Sequence, residues 1–594
     1  MRRSKANSTK YLTNILLRIW AIGEFCIIIF VMKYVSLYKR LSFILLIVGP
    51  LASLAVSPVS NYDPINLVKL MFVVPIGFCS IFLIGTEWKH FRPKLSKFFW
   101  IASSIFTFAM ISTLIFSGAP LNQQIWGCFG RNTGFLTYFS LLGIAISTAL
   151  IQKPDFYQSI THSLLITAVP VTIYCLIQMT GNDPVGWSSK ATFATFGNVN
   201  FLSAFLGLSS LAGFISILDK RINKFLRVGI FAISLLAIRI MSSTGSIQGV
   251  MILAAGLGIS FFLLIRSIKK VNFLQIPYIL ISILSFISVL VGLLNKGPLA
   301  KYIYSETVTY RGDYAHAGWV MTIKHPFFGV GLDSYGDWYR KYRGLISTMR
   351  TTPDRISNTA HNIFLDISSN GGFPLIFAYL MILAFALRAS LKFIRRTETF
   401  DPTFAILFSC WVAYQLQSAI SINQIGVGIW GWLLTGSLIG FEICTRETIV
   451  STNSNRTPKS VRKRNRTNST LSASTGVIGF LGLFLGFVLA FIPMYADAKF
   501  KSALITRNLI NISKSTEIIG STSWHLNVVL DAALKANAAD AAKSLDERLI
   551  SEYPNDFFGW RVRYGLLSST PDQRKFAIGK ALELDPFNPQ TPKS

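Results

Sequence analysis

The chain has 594 residues, of which 51% are hydrophobic and only 14% charged, and its formal net charge is +30. Apolar runs of about 17–25 residues, each able to cross a bilayer core of about 30 Å, recur from the N-terminus to about residue 495. No soluble core hides so many, so the composition excludes a soluble globular protein. The positive charge is not a nucleic-acid footprint either. Lys and Arg concentrate between apolar runs, at 89–97, 220–227, 266–270, 392–396 and 456–466, as orientation signals do.

In chain order, residues 1–40 form a basic and apolar N-terminal segment. Its stretch 14–36 carries Arg18 and Glu24, which are costly in lipid. It reads either as an extra transmembrane helix or as an interfacial amphipathic one. Spanning segments are expected at 41–56, 67–86, 98–117, 134–151, 159–179, 199–218, 225–243, 246–265, 274–294, 371–391, 403–422, 426–444 and 475–495. Basic connections placed on the cytoplasmic side put the remaining ones outside. The outer set is 57–66, 118–133, 180–198, the turn around Thr244, the long loop 295–370, the turn around Asn423 and everything after about 496.

The expected fold is therefore an all-α polytopic bundle of about 13–14 transmembrane helices with one large external loop. Residues 41–445 form the membrane domain, 446–474 a basic, disordered cytoplasmic linker, and 475–495 the last span. Residues 496–594 turn soluble in character and predict a small external helical-hairpin domain. Apolar positions recur at three and four residues within 527–551. The closing AIGKALELDPFNP (577–589) resembles the end of a tetratricopeptide repeat. Such a module is expected to dock an acceptor, because repeat hairpins offer concave surfaces. The six cysteines have no spacing that suggests a disulfide framework or a zinc site.

The loop 295–370 is where chemistry is expected, since long loops in compact proteins tend to be functional. Between residues 296 and 361 it holds nine Lys/Arg against five carboxylates. That excess fits an anionic ligand held by guanidinium forks, or a surface balanced by acidic lipid headgroups. In TYRGDYAHAGWVMTIKHPFFGVGLDSYGDWY (309–339) the pattern predicts a helix from about Asp313 that stops before Pro326. A Gly-rich turn then follows at Gly329 and Gly331. In NTAHNIFLDISSNGGFPLIFAYL (358–380), His361 stands just before an amphipathic run that leads into the next span. A histidine there suits a general base, with an unperturbed pKa near 6.5, or else it caps or packs.

These two segments resemble the signature region of the O-antigen ligase and O-antigen polymerase superfamily of bacterial polytopic glycosyltransferases, which includes protein O-oligosaccharyltransferase relatives. Three further stretches agree in order and side: FGRNTGFLTYFS (129–140), TFGNVNFLSAFL (195–206) and QSAISINQIGVGIWGWLLTG (417–436). The likeness spans roughly residues 41–445, and the last stretch resembles members that carry a tetratricopeptide-like tail.

The resemblance implies a C-type glycosyltransferase-like bundle, metal-independent and without cofactor, in the bacterial cytoplasmic membrane with its active site facing outward. Its partners would be an undecaprenyl-diphosphate-linked glycan donor, a glycan, lipid or protein acceptor, and membrane lipids, with no nucleic acid. It also implies roles for residues: His361 as activator of the acceptor hydroxyl and Arg311 as holder of the diphosphate. Many relatives have Ser-Arg-Gly where this chain reads STGSIQG (243–249). Gln248 replaces that arginine and can donate hydrogen bonds to the donor diphosphate but carries no charge, which makes Arg131 or Arg239 a further candidate diphosphate contact. The chain contains no Asp-x-Asp. A different class, a polyprenyl-glycan transporter or flippase, would favour paired broken helices in two related halves. The single asymmetric loop and the absence of an evident internal repeat argue for an enzyme.

Overall fold

The computed structural model describes residues 37–187, 189–350, 352–453, 473–566 and 569–592, so the expectations for residues 1–36 and 454–472 lie outside it. Among the described residues the chain is helical throughout, with no strand. Before the long loop come α1 (Leu37–Leu54), α2 (Asn66–Thr86), α3 (Lys97–Phe116), the short α4 (Leu121–Trp126), α5 (Phe135–Ile151), α6 (Pro154–Met179), α7 (Val199–Ser216), α8 (Lys224–Ser243), α9 (Ile247–Ser267) and α10 (Gln275–Leu293). The loop holds α11 (Glu306–Lys324) and α12 (Tyr335–Tyr342). After it come α13 (Ile363–Arg396), α14 (Pro402–Ser418), α15 (Ile425–Asn453) and α16 (Ala473–Thr506). Each expected span from 41–56 to 475–495 has a helix, and ten candidate spans among the described residues are long and apolar enough to cross a bilayer. This is an all-α polytopic membrane protein.

Local chemistry sets the helix starts. Ser96 accepts from Phe99 N at 3.1 Å and Asp401 from Phe404 N at 2.9 Å, each satisfying an amide that the helix leaves free. Packing between helices is close because small residues face one another. A Cβ on Gly77 of α2 would lie 2.3 Å from Ser140 Cβ of α5, so only glycine permits that approach. Lys69, fully buried in α2, donates to Ala52 O at 2.8 Å and Ser53 O at 3.0 Å. It thereby caps the last turn of α1.

The connections expected outside do gather at one end. Ser246 Oγ donates to Asn200 Oδ1 at 2.7 Å, Gln123 Nε2 to Asp337 Oδ2 at 2.8 Å, and Tyr62 N to Asp497 Oδ2 at 2.7 Å. The basic connections meet at the other, where Arg221 bonds Asp219 and Thr403, Arg396 pairs with Glu442 at 3.1 Å, and Arg266 donates to Ile394 O at 2.8 Å.

α13 departs from the expected span 371–391. It starts at Ile363 and is broken at Gly372, whose φ of 71° and ψ of −175° are not helical. Its first part therefore belongs to the loop and only the part beyond the kink enters the bundle. The Gly-rich turn fills the kink: Phe373 N donates to Pro326 O at 2.7 Å and Val330 N to Ser369 O at 2.8 Å. Gly329, with φ of 62°, lies against the Asn370 backbone, which a Cβ there would meet at 2.3 Å. The Gly-x-Gly pair is a packing turn, used by the protein's own backbone.

The tail folds as α17 (Leu509–Ser515), α18 (Ser523–Lys535), α19 (Ala539–Glu552), α20 (Phe557–Gly565) and α21 (Pro571–Leu584). α18/α19 and α20/α21 form two consecutive helical pairs whose first helices begin 34 residues apart, at 523 and 557, the spacing of a tetratricopeptide unit. The module lies against the outer loops. Trp524 stacks on Phe129 with ring centroids 4.0 Å apart, and Asn122 Nδ2 donates to Ser521 O.

Candidate functional site

The outer end of the bundle brings together α11, the loop before α5, the start of α9 and the loop that enters α13. His361 occupies that last loop with a left-handed backbone, φ 53°, which a non-glycine side chain adopts only when its surroundings hold it. Asp366, one turn into α13, supplies much of the hold. Its Oδ1 accepts from Ala360 N at 2.7 Å and its Oδ2 from Thr359 Oγ1 at 2.6 Å. His361 N in turn donates to Thr359 Oγ1 at 3.0 Å.

The imidazole is half-buried against the Tyr314 ring, with centroids 4.9 Å apart. Its Nδ1 lies 3.4 Å from Thr359 O. A carbonyl only accepts, so Nδ1 carries the proton and Nε2 keeps its lone pair. Burial pushes the pKa down to about 4, against the pull of the Thr359 carbonyl and with help from the positive charges of Arg311 and Arg131. His361 is thus neutral at physiological pH. The other loop histidines differ: His316 is exposed, and His325 Nε2 is bonded to Tyr342 Oη at 2.9 Å.

Arg311, on α11, is half-buried and burial lowers its pKa, yet a guanidinium remains charged at any physiological pH. Among the described residues it has no carboxylate partner. It faces Gln248, whose amide, turned so that its oxygen meets the guanidinium, accepts from Arg311 Nη1 and Nη2, each at 3.1 Å. Gln248 is itself 1% exposed at the start of α9. Gln248 therefore orients Arg311 with a neutral two-pronged acceptor and supplies no counter-charge.

Arg131 is placed differently. Its Nε lies 3.4 Å from Asp333 and its Nη2 3.8 Å from Asp366, and its Nη1 donates to Asn358 O at 3.3 Å. Burial opposes its charge, but the two carboxylates raise its pKa. Asp333 also accepts from Cys128 N and Thr133 N, at 2.9 and 3.0 Å. Arg131 thus ties three outer segments together, and its charge is already met by two carboxylates. Arg239 is exposed on α8 and is not among the charges that act on His361. Sequence reading missed Asp333, Thr359 and Asp366; an acid five residues after His361, at the start of a helix, was the available signal for the last.

Removing Arg131 would leave Asp333 and Asp366 buried without a cation, a change worth about 3–5 kcal/mol. Arg131→Ala is expected to lower thermal stability in detergent and to disorder the His361 loop. An unchanged unfolding temperature would mean that the carboxylates find other partners.

Fold and geometry define a multi-pass membrane protein whose loops carry a neutral imidazole beside an unneutralised guanidinium. Residues 230–380 match a family model described as O-antigen ligase. This segment runs from α8 through the kink of α13 and holds Gln248, Arg311 and His361, so the part of the chain that carries the site is similar to the O-antigen ligase family. The match supports a membrane enzyme of the general glycan ligase and polymerase type. A search of the curated proteins gives no match.

Proposed function

We propose that the protein moves a glycan from an undecaprenyl-diphosphate-linked donor to a hydroxyl acceptor on the outer face of the bacterial cytoplasmic membrane, as a polymerase or ligase. The observation that carries this reading is the pairing of Arg311, a cation without a carboxylate, with the neutral His361. The first is suited to a diphosphate and the second to a hydroxyl proton. His361 Nε2 takes the acceptor proton as the acceptor oxygen bonds to the anomeric carbon of the donor sugar. The bond from that carbon to the diphosphate oxygen breaks, and the departing electron pair is stabilised by Arg311. Undecaprenyl diphosphate leaves, and His361 later returns its proton to water. Gln248 holds Arg311 in place, and Arg131 positions the loop.

A pKa of about 4 describes a weak base; burial is its main cause, and donor binding offsets the smaller part that comes from Arg311. A diphosphate on Arg311 cancels one of the charges that depress His361, so basicity rises when substrate is present. The helical module against the outer loops favours a large acceptor, either a growing glycan or, as the alternative, a secreted protein.

Mass spectrometry of membranes with and without the protein tests the assignment. Loss of the protein is expected to accumulate lipid-linked glycan. Single repeat units on the lipid mark a polymerase, and completed chains mark a ligase or protein transferase. No accumulation of either would overturn the catalytic assignment and move the transporter or scaffold reading to the front.

A further inference from the structure

Residues 353–361, which lead to the imidazole, form neither helix nor strand, so their course depends on what grips them. Near His361 the grip is Arg131 on Asn358 O and Asp366 on Thr359 and Ala360. At the far end it comes from two arginines. Arg340 Nη1 donates to Pro353 O at 2.7 Å. Arg343 donates to Pro353 O at 2.9 Å and to Arg355 O at 3.1 Å. The Arg355 guanidinium lies 4.5 Å over the Tyr310 ring, beside Arg311 in the sequence, so the same segment also touches the helix of the second site residue.

Two guanidinium groups side by side, one of them 1% exposed, repel each other and are poorly hydrated. One carboxylate bonds both and offsets part of their charge, and it comes from the tail. Asp585, just past the end of α21 and 0% exposed, accepts from Arg343 Nη2 at 2.7 and 2.9 Å and from Arg340 Nη1 at 3.0 Å. Asn588 Nδ2 holds the same carboxylate at 3.0 Å. Around this buried centre lie more exposed contacts, Lys341 to Glu583 at 3.0 Å and Arg561 to Asp354 at 2.9 Å.

We propose that Asp585 is a positioning residue for His361: through Arg343 and Arg340, the C-terminal module sets the course of residues 353–361. The module is then part of the site's scaffold, and not solely a docking surface for the acceptor. The inference rests on the reading of His361 as the base, but its test need not. With Asp585 neutral, the two arginines lose their shared counter-charge, move apart and release the Pro353 and Arg355 carbonyls. The segment relaxes, and His361 gains water and distance from Arg311.

Two readouts on the full-length protein decide it: glycan transfer, and deuterium exchange at the His361 imidazole C2 against pH, followed by mass spectrometry. Asp585→Asn is expected to lower kcat roughly 10- to 100-fold and to move the His361 midpoint from about 4 towards 6.5. Asp585→Glu should restore part of both. Lys341→Ala, which removes the rim contact to Glu583 and the cation over the Trp338 ring but touches neither Pro353 nor Arg355, should change neither. If Asp585→Asn does not insert, Arg343→Lys serves instead. It keeps a charge for Asp585 but loses the fork that spans two carbonyls, and the same midpoint shift is expected. A folded Asp585→Asn protein with wild-type midpoint and kcat overturns the proposal. So does a variant that is scarcer but whose folded fraction titrates like the wild type, because the tail would then serve stability alone. A shifted midpoint in a protein that transfers no glycan would uphold the positioning and overturn the assigned reaction.

Discussion

His361→Asn should lose transfer by about 10²–10⁴-fold, the usual worth of a positioned general base, while inserting normally. Asparagine is the better substitution than alanine, because it tolerates the left-handed backbone that His361 adopts. The side chain's polar contacts are long, 3.4 Å to Thr359 O and 3.5 Å to Ser357 Oγ, and beyond them it gives up only its packing on the Tyr314 ring, so insertion should survive its loss. In the wild type, the acid limb of kcat/KM should fall near pH 4, well below the ordinary histidine value of 6.5. The folded pKa is lowered, so the base form persists as pH falls from 6.5 and is lost only through about 4. Over the same window the unfolded chain takes up a proton that the folded one refuses, so stability declines as pH drops. The limb of kcat, which reports the enzyme–substrate complex, should lie above that of kcat/KM, because the bound diphosphate offsets Arg311. Wild-type activity in His361→Asn would remove the base from this site.

The bundle was legible because apolar length and basic connections obey strong physical rules. Every expected span from 41–56 to 475–495 has its helix. His361, Arg311 and Gln248 were legible through motif order, and the fold brings them to one end of the bundle. What could not be read was how they are held. The kink at Gly372 hides inside an apolar run, because Gly-Gly-x-Pro reads there as the mere start of a span. The occupied state of Arg131 depends on Asp333, some 200 positions away, and on Asp366. Asp585 and Arg343 meet across 242 residues, and a buried ion pair leaves no periodic trace in a sequence. The tail's closing Leu-Asp-Pro signalled a helical-hairpin module correctly in shape. Nothing in that stretch marks its aspartate as one that the fold buries against the loop.

Arg311→Ala is expected to lower kcat by about 10²–10³-fold, as removal of a group that stabilises charge on a leaving oxygen does. Stability should behave in the opposite way to Arg131→Ala. Arg311 has no carboxylate to abandon among the described residues, and its loss leaves only the neutral Gln248 amide unpaired. The unfolding temperature should therefore stay near wild type, which separates a ligand-binding arginine from a scaffold arginine by one measurement. Arg311→Lys should recover part of the rate, since it returns the charge but not the two-pronged bond to Gln248. Gln248→Ala should cost less than Arg311→Ala, because it frees the guanidinium without deleting it. The two site residues are also coupled. With Arg311 gone, one of the charges that depress His361 disappears, so the acid limb of any residual activity should move upward from about pH 4. A full wild-type kcat in Arg311→Ala would mean that the diphosphate is held elsewhere. A lowered kcat without movement of the limb would mean that Arg311 binds the donor without setting the state of the base.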